Sequence, residues 1–509
     1  MRGLSRGRFY MRPVIAMTIL LFGVAFVFAQ DKEREAAAGQ IAGVDKARVQ
    51  AAVQKGLEFL KSKQNADGSF PATKRAAGFP EGATALCLLA LLKGGEPKTS
   101  DTVKKALDYL YKQPFRSTYS VSCLILALAA LAESDEPPSE KEIEKEVKSK
   151  KTTVFVPPEE KQKKDFGKLP DAYKDWMKRA LEWLLQQQKD VWSYGGQYQV
   201  GPNARVDASN SQYALLALHA ASRCGLSVPN AVFERIAQYF LIAQEPDGPK
   251  VKGFPVPIAD FDIKELKQLE KQILERMRQK FIDAVEKGES KDVGEILKKV
   301  RTEGVTIDES PYRKFQGELR DMRARGWGYV LPQNQPELPK DDIFFKAVGS
   351  MTCSGVAALA ICKANLESTG LKKQINEGIR DGCAWLAHNF SVTKNPNCPD
   401  WHYYFLYGLE RAGILSLVFD FGTHNWYKEG AEFLLGAQRA DGSWPGEEGS
   451  QRQVGQLIIN AAALDEIVNT CFAILFLKRA TAPIVKLPED IYTGQGLLGP
   501  KGEKPSEKK

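Results

Sequence analysis

The sequence of 509 residues predicts an all-α protein built from six helical hairpins, with an inner and an outer ring of helices. Two observations lead to this prediction. The stretch KGLEFLKSKQNADGSF at residues 55–70 returns, little changed, as EGAEFLLGAQRADGSW at residues 429–444. Stretches of this type have apolar residues at helical spacing, and a segment that is apolar on every side follows each of them.

The repeated stretch has a fixed skeleton: a small residue, an aromatic residue three positions later, then Gln, Gly and a second aromatic residue. Self-similarity of this kind indicates a repeat architecture. The full copies are Gly56, Phe59, Gln64, Gly68 and Phe70, and Gly430, Phe433, Gln438, Gly442 and Trp444. The partial copies are Ala180, Trp183, Gln188 and Tyr194; Tyr239, Gln244 and Gly248; Ala106 and Tyr109; and Gly382 and Trp385. These copies define six units.

The second segment of each unit is apolar nearly all round. These segments are TALCLLALL from Thr84, SVSCLILALAALA from Ser120, SQYALLALHAA from Ser211, CSGVAALAIC from Cys353, HYYFLYGL from His402 and NTCFAILFL from Asn469. A helix that is apolar on every side must be buried. Six such helices are buried together if they form an inner ring, with the amphipathic helices around them.

The Gln-to-aromatic element resembles the QW repeat of squalene and oxidosqualene cyclases, and the series of hairpins is similar to the prenyltransferase and squalene-oxidase repeat. This resemblance spans residues 46–480 apart from two inserts, and it implies an α/α toroid. It also implies that the repeated Gln and aromatic residues tie neighbouring outer helices together. Gln64, Gln188, Gln244, Gln438 and Trp444 are therefore expected to be scaffold residues.

The N-terminal residues 1–29 have the features of a signal peptide. Four arginines precede an apolar run from Val14 to Phe28, and small residues follow at the usual cleavage positions. We therefore expect an exported protein, periplasmic or secreted, that contacts the membrane only through this segment. The formal charge of +8 comes from basic residues interleaved with acids, so no nucleic-acid partner is expected. Residues 494–509 are expected to form a disordered tail, and the eight cysteines to be mostly unpaired and buried.

Two inserts interrupt the predicted ring. Residues 134–170 mix charge with proline and are expected to form a solvated linker that buries no apolar area. Residues 249–324 contain a predicted helix with a capping box at Asp262 and Glu265, a stop at Gly288 and one apolar stripe. This stripe packs either on the rim of the ring or as a lid or partner-binding helix. RGWGYV at residues 325–330 then resumes the fourth unit.

Residues at the starts of the inner helices would converge on one end of a central cavity and could form a site there. The candidates for ligand binding are Glu81, Asp207, Asn210, Trp327, Tyr329, Thr352, Trp401, Tyr403 and Thr470. The catalytic candidates are Asp400, His402 and Tyr404, because an imidazole beside a carboxylate suits acid–base chemistry. In the alternative interpretation, Asp400 is a helix N-cap and His402 bonds to a backbone group.

The motifs that the resemblance would bring are incomplete. The Asp-x-Asp-Asp proton donor of the cyclases and the Gly-Cys-Gly-Glu-Gln thioester of the macroglobulins do not occur. Asp381-Gly-Cys383 has the letters of a prenyltransferase zinc site, but it lies in an outer-helix segment and should face away from the cavity. Cys353 is either a packing thiol or part of a zinc or nucleophile pair with a His such as His402. Arg411 serves either helix-end carbonyls or an anionic ligand. No cofactor and no metal are expected.

Two function classes remain open at this level. In the first, an apolar, aromatic cavity binds or transforms a terpenoid or other lipid-like ligand, by a cyclase-like, transferase-like or lyase activity. In the second, the protein is a non-catalytic scaffold of the cell envelope that binds an envelope protein or a glycan through its rim and insert.

Overall fold

The computed structural model describes residues 40–41, 44–71, 79–133, 138–149, 152–189, 191–194, 208–290, 292–303, 319–334, 342, 344–366, 370–454, 457–460 and 464–487. The predicted signal peptide, the predicted tail and Asp207 lie outside these residues. The described chain is mostly helical, as the sequence predicts.

The helices in the described residues are α1 (Lys46–Ser62), α2 (Pro80–Gly94), α3 (Asp101–Tyr111), α4 (Thr118–Ala132), α5 (Glu140–Lys148), α6 (Pro158–Gly167), α7 (Asp171–Gln186), α8 (Ala208–Arg223), α9 (Asn230–Ala243), α10 (Pro257–Asp260), α11 (Ile263–Glu286), α12 (Val293–Glu303), α13 (Gly349–Asn365), α14 (Lys372–His388), α15 (His402–Ser416), α16 (Trp426–Ala437) and α17 (Glu466–Leu477). Short antiparallel strand pairs join some of them: β1 (Gln40–Ile41) with β2 (Val44–Asp45), β3 (Lys250–Val251) with β4 (Met322–Arg323), β5 (Asp420–Phe421) with β6 (His424–Asn425), and β7 (Gln451–Val454) with β8 (Leu457–Asn460).

Six of these helices coincide with the apolar segments of the sequence. These apolar helices are α2, α4, α8, α13, α15 and α17, and nearly all of their residues are buried. In chain order, each apolar helix packs against the next one, and α17 packs against α2. The series of contacts therefore closes on itself, which gives every apolar face a partner.

The amphipathic helices α1, α3, α7, α9, α14 and α16 pack against the apolar helices. Helix α1 contacts α2 and α17, α7 contacts α4 and α8, and α16 contacts α15 and α17. Each amphipathic helix buries one face and exposes the other, as the three- and four-residue spacing of its apolar residues requires.

The repeated Gln side chains join neighbouring amphipathic helices through hydrogen bonds. Gln64 Nε2 donates to the carbonyl of Thr102 on α3 at 2.9 Å, and Gln244 Nε2 donates to the carbonyl of Gly378 on α14 at 3.0 Å. Gln438 Nε2 donates to the carbonyl of Ala52 at 2.8 Å, which connects the last unit to α1. Gln64 and Gln438 also donate to the carbonyls of Gly68 and Gly442 in their own units, so each amide joins its own turn to the next unit.

The turn after the first and the last Gln requires glycine. Gly68 and Gly442 both have φ of +90°, which is unfavourable for residues that carry a Cβ. A Cβ at Gly68 would lie 2.2 Å from the carbonyl oxygen of Lys105, and one at Gly442 would lie 2.4 Å from that of Lys55. The two near-identical stretches thus make the same close approach, each to a neighbouring amphipathic helix.

The first insert differs from the expectation of a solvated linker. It contains α5 and α6, and it buries Phe155 and Phe166. Glu146 is fully buried and accepts a hydrogen bond from Nε of Arg278, a residue of the second insert, at 2.8 Å. The expectation of a solvated linker was wrong because the two inserts share one small core, and a few apolar residues from each are enough to form it.

Helix α11 of the second insert begins with the predicted capping box, in which the N–H of Asp262 donates to Glu265 at 3.0 Å. Its first half packs into the main core through Leu266, Leu269 and Ile273. Its second half packs with α12 and the first insert, where Phe281 lies 5.6 Å from Phe155 between ring centroids. The apolar stripe is therefore buried against the same chain.

Candidate functional site

Asp400 and His402 make separate contacts at the start of α15. The Asp400 carboxylate accepts hydrogen bonds from the N–H and the hydroxyl of Ser450, at 2.8 and 2.6 Å. Nε2 of His402 is 2.9 Å from the carbonyl oxygen of Val392, and its ring packs 5.0 Å from Phe433 of α16. The acid–base pair suggested by the sequence is therefore not formed by these contacts, whereas the predicted backbone partner of His402 is present.

Burial lowers the pKa of His402 below its ordinary value, and this effect outweighs the opposite influence of the Val392 carbonyl and of Glu447. The lowered pKa favours the neutral imidazole, which packs against Phe433 of α16. The burial of the ring explains why it is neutral.

Asp400 is not the N-cap of α15, contrary to the alternative interpretation. The cap position belongs to Trp401, which has a left-handed φ of 62°. Glu447 instead receives the first N–H groups of the helix, those of His402 at 2.9 Å and Tyr403 at 3.1 Å. A carboxylate suits this place because the helix N-terminus carries partial positive charge. Sequence reasoning missed Glu447 because it comes from another unit.

The predicted residues Trp327, Thr352 and Thr470 take part in repeated scaffold hydrogen bonds. The N–H of Trp327 donates to the Thr352 hydroxyl at 3.2 Å, and the N–H of Trp444 donates to the Thr470 hydroxyl at 3.1 Å. The first unit has the same bond between the N–H of Phe70 and the hydroxyl of Thr84 at 3.0 Å. Each of these hydroxyl groups lies near the start of an apolar helix and accepts a hydrogen bond from the turn of its own unit.

The remaining predicted ligand-binding residues lie at the same end of the apolar helices. Glu81 is buried and accepts a hydrogen bond from Arg116 at 3.0 Å, and Asn210 is fully buried at the start of α8. Tyr329 shares a hydrogen bond of 3.0 Å with Ser350, and its ring packs edge-on against Trp401 at 5.1 Å. Burial raises the pKa of Tyr403 to about 12.

An aromatic series leads from this end into the space between the apolar helices. Tyr119 lies 5.8 Å from Tyr194 and 4.8 Å from Tyr213, and Tyr213 stacks with Tyr404 at 6.2 Å. The hydroxyl of Tyr404 donates to Oε1 of Gln212 at 3.4 Å. Of the three catalytic candidates, Tyr404 is the one that belongs to this series.

Arg411 lies at the inner end of the series and is fully buried. Its guanidinium carbon is 4.2 Å from the ring centroid of Tyr407, 5.1 Å from that of Tyr213 and 5.9 Å from that of Tyr404. These three side chains are called the tyrosine cage below. The partner of Nη1 is the hydroxyl of Tyr213 at 3.4 Å, so the guanidinium does not serve helix-end carbonyls as one expectation had it. The spacing of 404, 407 and 411 places these residues on one helix face, which was the available signal.

A small cavity lies near the C-terminal ends of the apolar helices. It has a volume of about 50 Å³, and Tyr407, Leu126, Leu216 and His219 contribute to its wall. Burial lowers the pKa of His219 to about 3, so its ring is neutral. At this volume the cavity holds a few water-sized groups and is far smaller than a terpenoid.

Two further cysteine candidates have no activated thiol. Burial raises the pKa of Cys353 and of Cys383, and both side chains are fully buried. Asp381, from the motif with zinc-site letters, pairs with Arg325 at 2.7 Å.

Within the described ranges, no three His, Cys, Asp or Glu side chains lie close enough to hold a metal ion. None of the helices described combines the length and apolar character needed to cross a bilayer.

No family model matches the chain, and none of the curated proteins is significantly similar to it.

Proposed function

We propose that the protein is an exported α/α toroid of the prenyltransferase and squalene-oxidase repeat type that acts as a non-catalytic binding protein of the cell envelope. The observation that carries this proposal is the use of Asp400 and His402 in separate structural contacts, with Ser450 and with Val392. An acid–base mechanism needs two such groups within reach of one substrate.

The toroid is supported by the contacts between the first and last units. Helix α17 packs against α2, and Gln438 donates to the carbonyl of Ala52. A Cβ at Gly56 would lie 2.9 Å from the Trp444 side chain, so this aromatic residue of the last unit packs directly against α1. In an open row of hairpins, the first and the last unit would not be in contact.

A carbodiimide cross-link tests the toroid directly. Nζ of Lys63 lies 3.7 Å from a carboxylate oxygen of Glu466, although the residues are far apart in the sequence. We expect mass spectrometry of the treated monomer to detect an amide between these two side chains. Lys63→Arg removes the reactive amine and serves as the control, and absence of the cross-link from the unchanged protein would contradict the closed arrangement.

A second candidate function, binding or conversion of a terpenoid or other lipid-like ligand, is favoured by the aromatic series from Tyr119 to Tyr404. Tyrosine faces stabilise carbocations. Arg411 opposes this use, because its charge already occupies the tyrosine cage. At about 6 Å and an effective dielectric constant of about 20, a second positive charge is repelled by about 3 kcal/mol.

The binding role is assigned to the rim and to α11, whose charged face is exposed while its apolar stripe is buried. A photo-reactive residue at the exposed Lys271 should cross-link to one envelope component in intact cells. The same residue at the exposed Lys178 of α7 is the matched control and should not.

Incubation of the purified protein with lipid extract separates the two candidates. Neither turnover nor retention of a terpenoid is expected when the extract and the protein are examined by mass spectrometry. Formation of a cyclised or transferred product would overturn the non-catalytic proposal.

A further inference from the structure

Among the described residues, no carboxylate pairs with the buried Arg411. Its Nε and Nη2 atoms make no hydrogen bond within the described structure, and its one bond, to Tyr213, is long at 3.4 Å. The neighbouring Glu410 directs its carboxylate to Thr481, which donates its hydroxyl at 2.6 Å and its N–H at 3.0 Å. A buried charge without a partner is strongly unfavourable, so the site calls for a negative group.

The tyrosine cage does not supply that negative charge. Burial raises the pKa of Tyr213 to about 12 and also raises that of Tyr407, so both phenols are neutral. Their ring faces attract the guanidinium, but this attraction replaces only part of the lost hydration. The two free nitrogens still need hydrogen-bond acceptors.

A further unpaired donor lies on α8, directly before Tyr213. Gln212 is buried, and its Oε1 accepts hydrogen bonds from Ser354 at 2.5 Å and from Tyr404 at 3.4 Å. With the amide in this orientation, Nε2 has no partner among the described residues. The unpaired groups of Arg411 and Gln212 are therefore all donors, which suits an anion.

Gly408 lies beside the guanidinium and packs closely against Cys353. A Cβ built at this position would lie 3.7 Å from Nη2 of Arg411 and 3.3 Å from the Cβ of Cys353. Tyr407 forms part of the tyrosine cage and also part of the wall of the cavity of about 50 Å³. The cavity, which reaches the tyrosine cage at Tyr407, is large enough for an anion of a few heavy atoms and too small for a long chain.

We propose that the space between the apolar helices is a binding site for a small carboxylate anion, with Arg411 as the charge partner, Gln212 as a second donor and the tyrosine cage as its wall. The site is independent of the rim, so it stands whether or not an envelope partner binds there. Acetate is the probe, since a carboxylate can accept from two guanidinium nitrogens at once.

Isothermal titration with acetate tests the site, in a buffer whose anion is a bulky sulfonate. We expect saturable binding at one site per chain, and no binding of octanoate. Arg411→Met should abolish acetate binding, whereas Arg479→Met, which removes a guanidinium 5.4 Å from Tyr427, should leave it unchanged.

Gly408→Ala is the decisive variant if Arg411→Met fails to fold. It keeps the charge and places a methyl group 3.7 Å from Nη2, so acetate should bind about 10-fold to 100-fold more weakly, as for the loss of one charged hydrogen bond. No saturable binding to the unchanged protein would overturn the proposal. Equal acetate affinity in the unchanged protein and the Gly408→Ala variant would overturn it as well, as would tighter binding of octanoate than of acetate.

Discussion

Glu410 should make the stability of the protein depend on pH in the direction opposite to that of a paired carboxylate. Burial raises its pKa from 4.5 to about 7, and the hydrogen bonds from Thr481 offset only part of this effect. In the folded protein the group therefore keeps its proton up to about pH 7, whereas in the unfolded chain it loses it near pH 4.5. The unfolded state binds fewer protons across this window, so stability falls as pH rises.

The shift gives the size of the effect. A raised pKa of about 2.5 units corresponds to about 3.4 kcal/mol in total, of which about 2 to 3 kcal/mol is lost between pH 5 and pH 8. Glu410→Gln retains the shape and does not titrate. We expect its free energy of unfolding, relative to that of the unchanged protein, to rise by this amount between pH 5 and pH 8 in urea titrations followed by tryptophan fluorescence.

A flat difference between the two proteins would refute this reasoning. A difference that falls as the pH rises to about 5 and is then flat would show that Glu410 has a lowered pKa, as an ion pair with Arg411 would produce. That second result would also remove the basis for an unpaired guanidinium. One pair of titration curves thus tests both the burial of Glu410 and its separation from Arg411.

Three other substitutions test the connections between units. Gln438→Ala should lower the free energy of unfolding by about 1–3 kcal/mol, because it leaves buried carbonyls on two units without a donor; urea titration measures this. Arg278→Met should lower the free energy of unfolding by about 3–5 kcal/mol, because it leaves the buried Glu146 without its charged partner. Amide hydrogen exchange should become faster in both inserts and not elsewhere. Gly442→Ala should be destabilising by more than 1 kcal/mol in thermal unfolding, because of its φ of +90°, whereas Gly436→Ala, with open space around it, should be neutral or stabilising.

The helical content and the position of each apolar helix could be predicted because they depend on local patterns. SVSCLILALAALA, for instance, is α4 almost to the residue, and the capping box at Asp262 and Glu265 starts α11. Such signals lie within one turn of helix, so the sequence displays them directly.

Contacts between distant units could not be predicted in the same way. The sequence around His402 contains no signal that Glu447 accepts hydrogen bonds from the start of its helix. Likewise, the sequence around Glu146 contains no signal that Arg278 donates to its carboxylate. The first insert was judged by its composition, which is charged, but its buried area depends on a partner segment more than a hundred residues away. Composition predicts solvation only for a segment that stands alone.

The repeat itself explains why several residues predicted to bind a ligand form scaffold hydrogen bonds instead. Polar residues recur at the starts of the apolar helices, and the sequence predicts a site there for this reason. Thr84, Thr352 and Thr470 recur, however, because each accepts a hydrogen bond from the equivalent backbone N–H of its unit. A polar group that the scaffold uses in this way has little freedom to bind a ligand. Among the described residues, Nε and Nη2 of Arg411 and Nε2 of Gln212 have no such hydrogen bond. In a repeat protein of this type, the polar residues that break the repeat are therefore better candidates for binding than those that follow it.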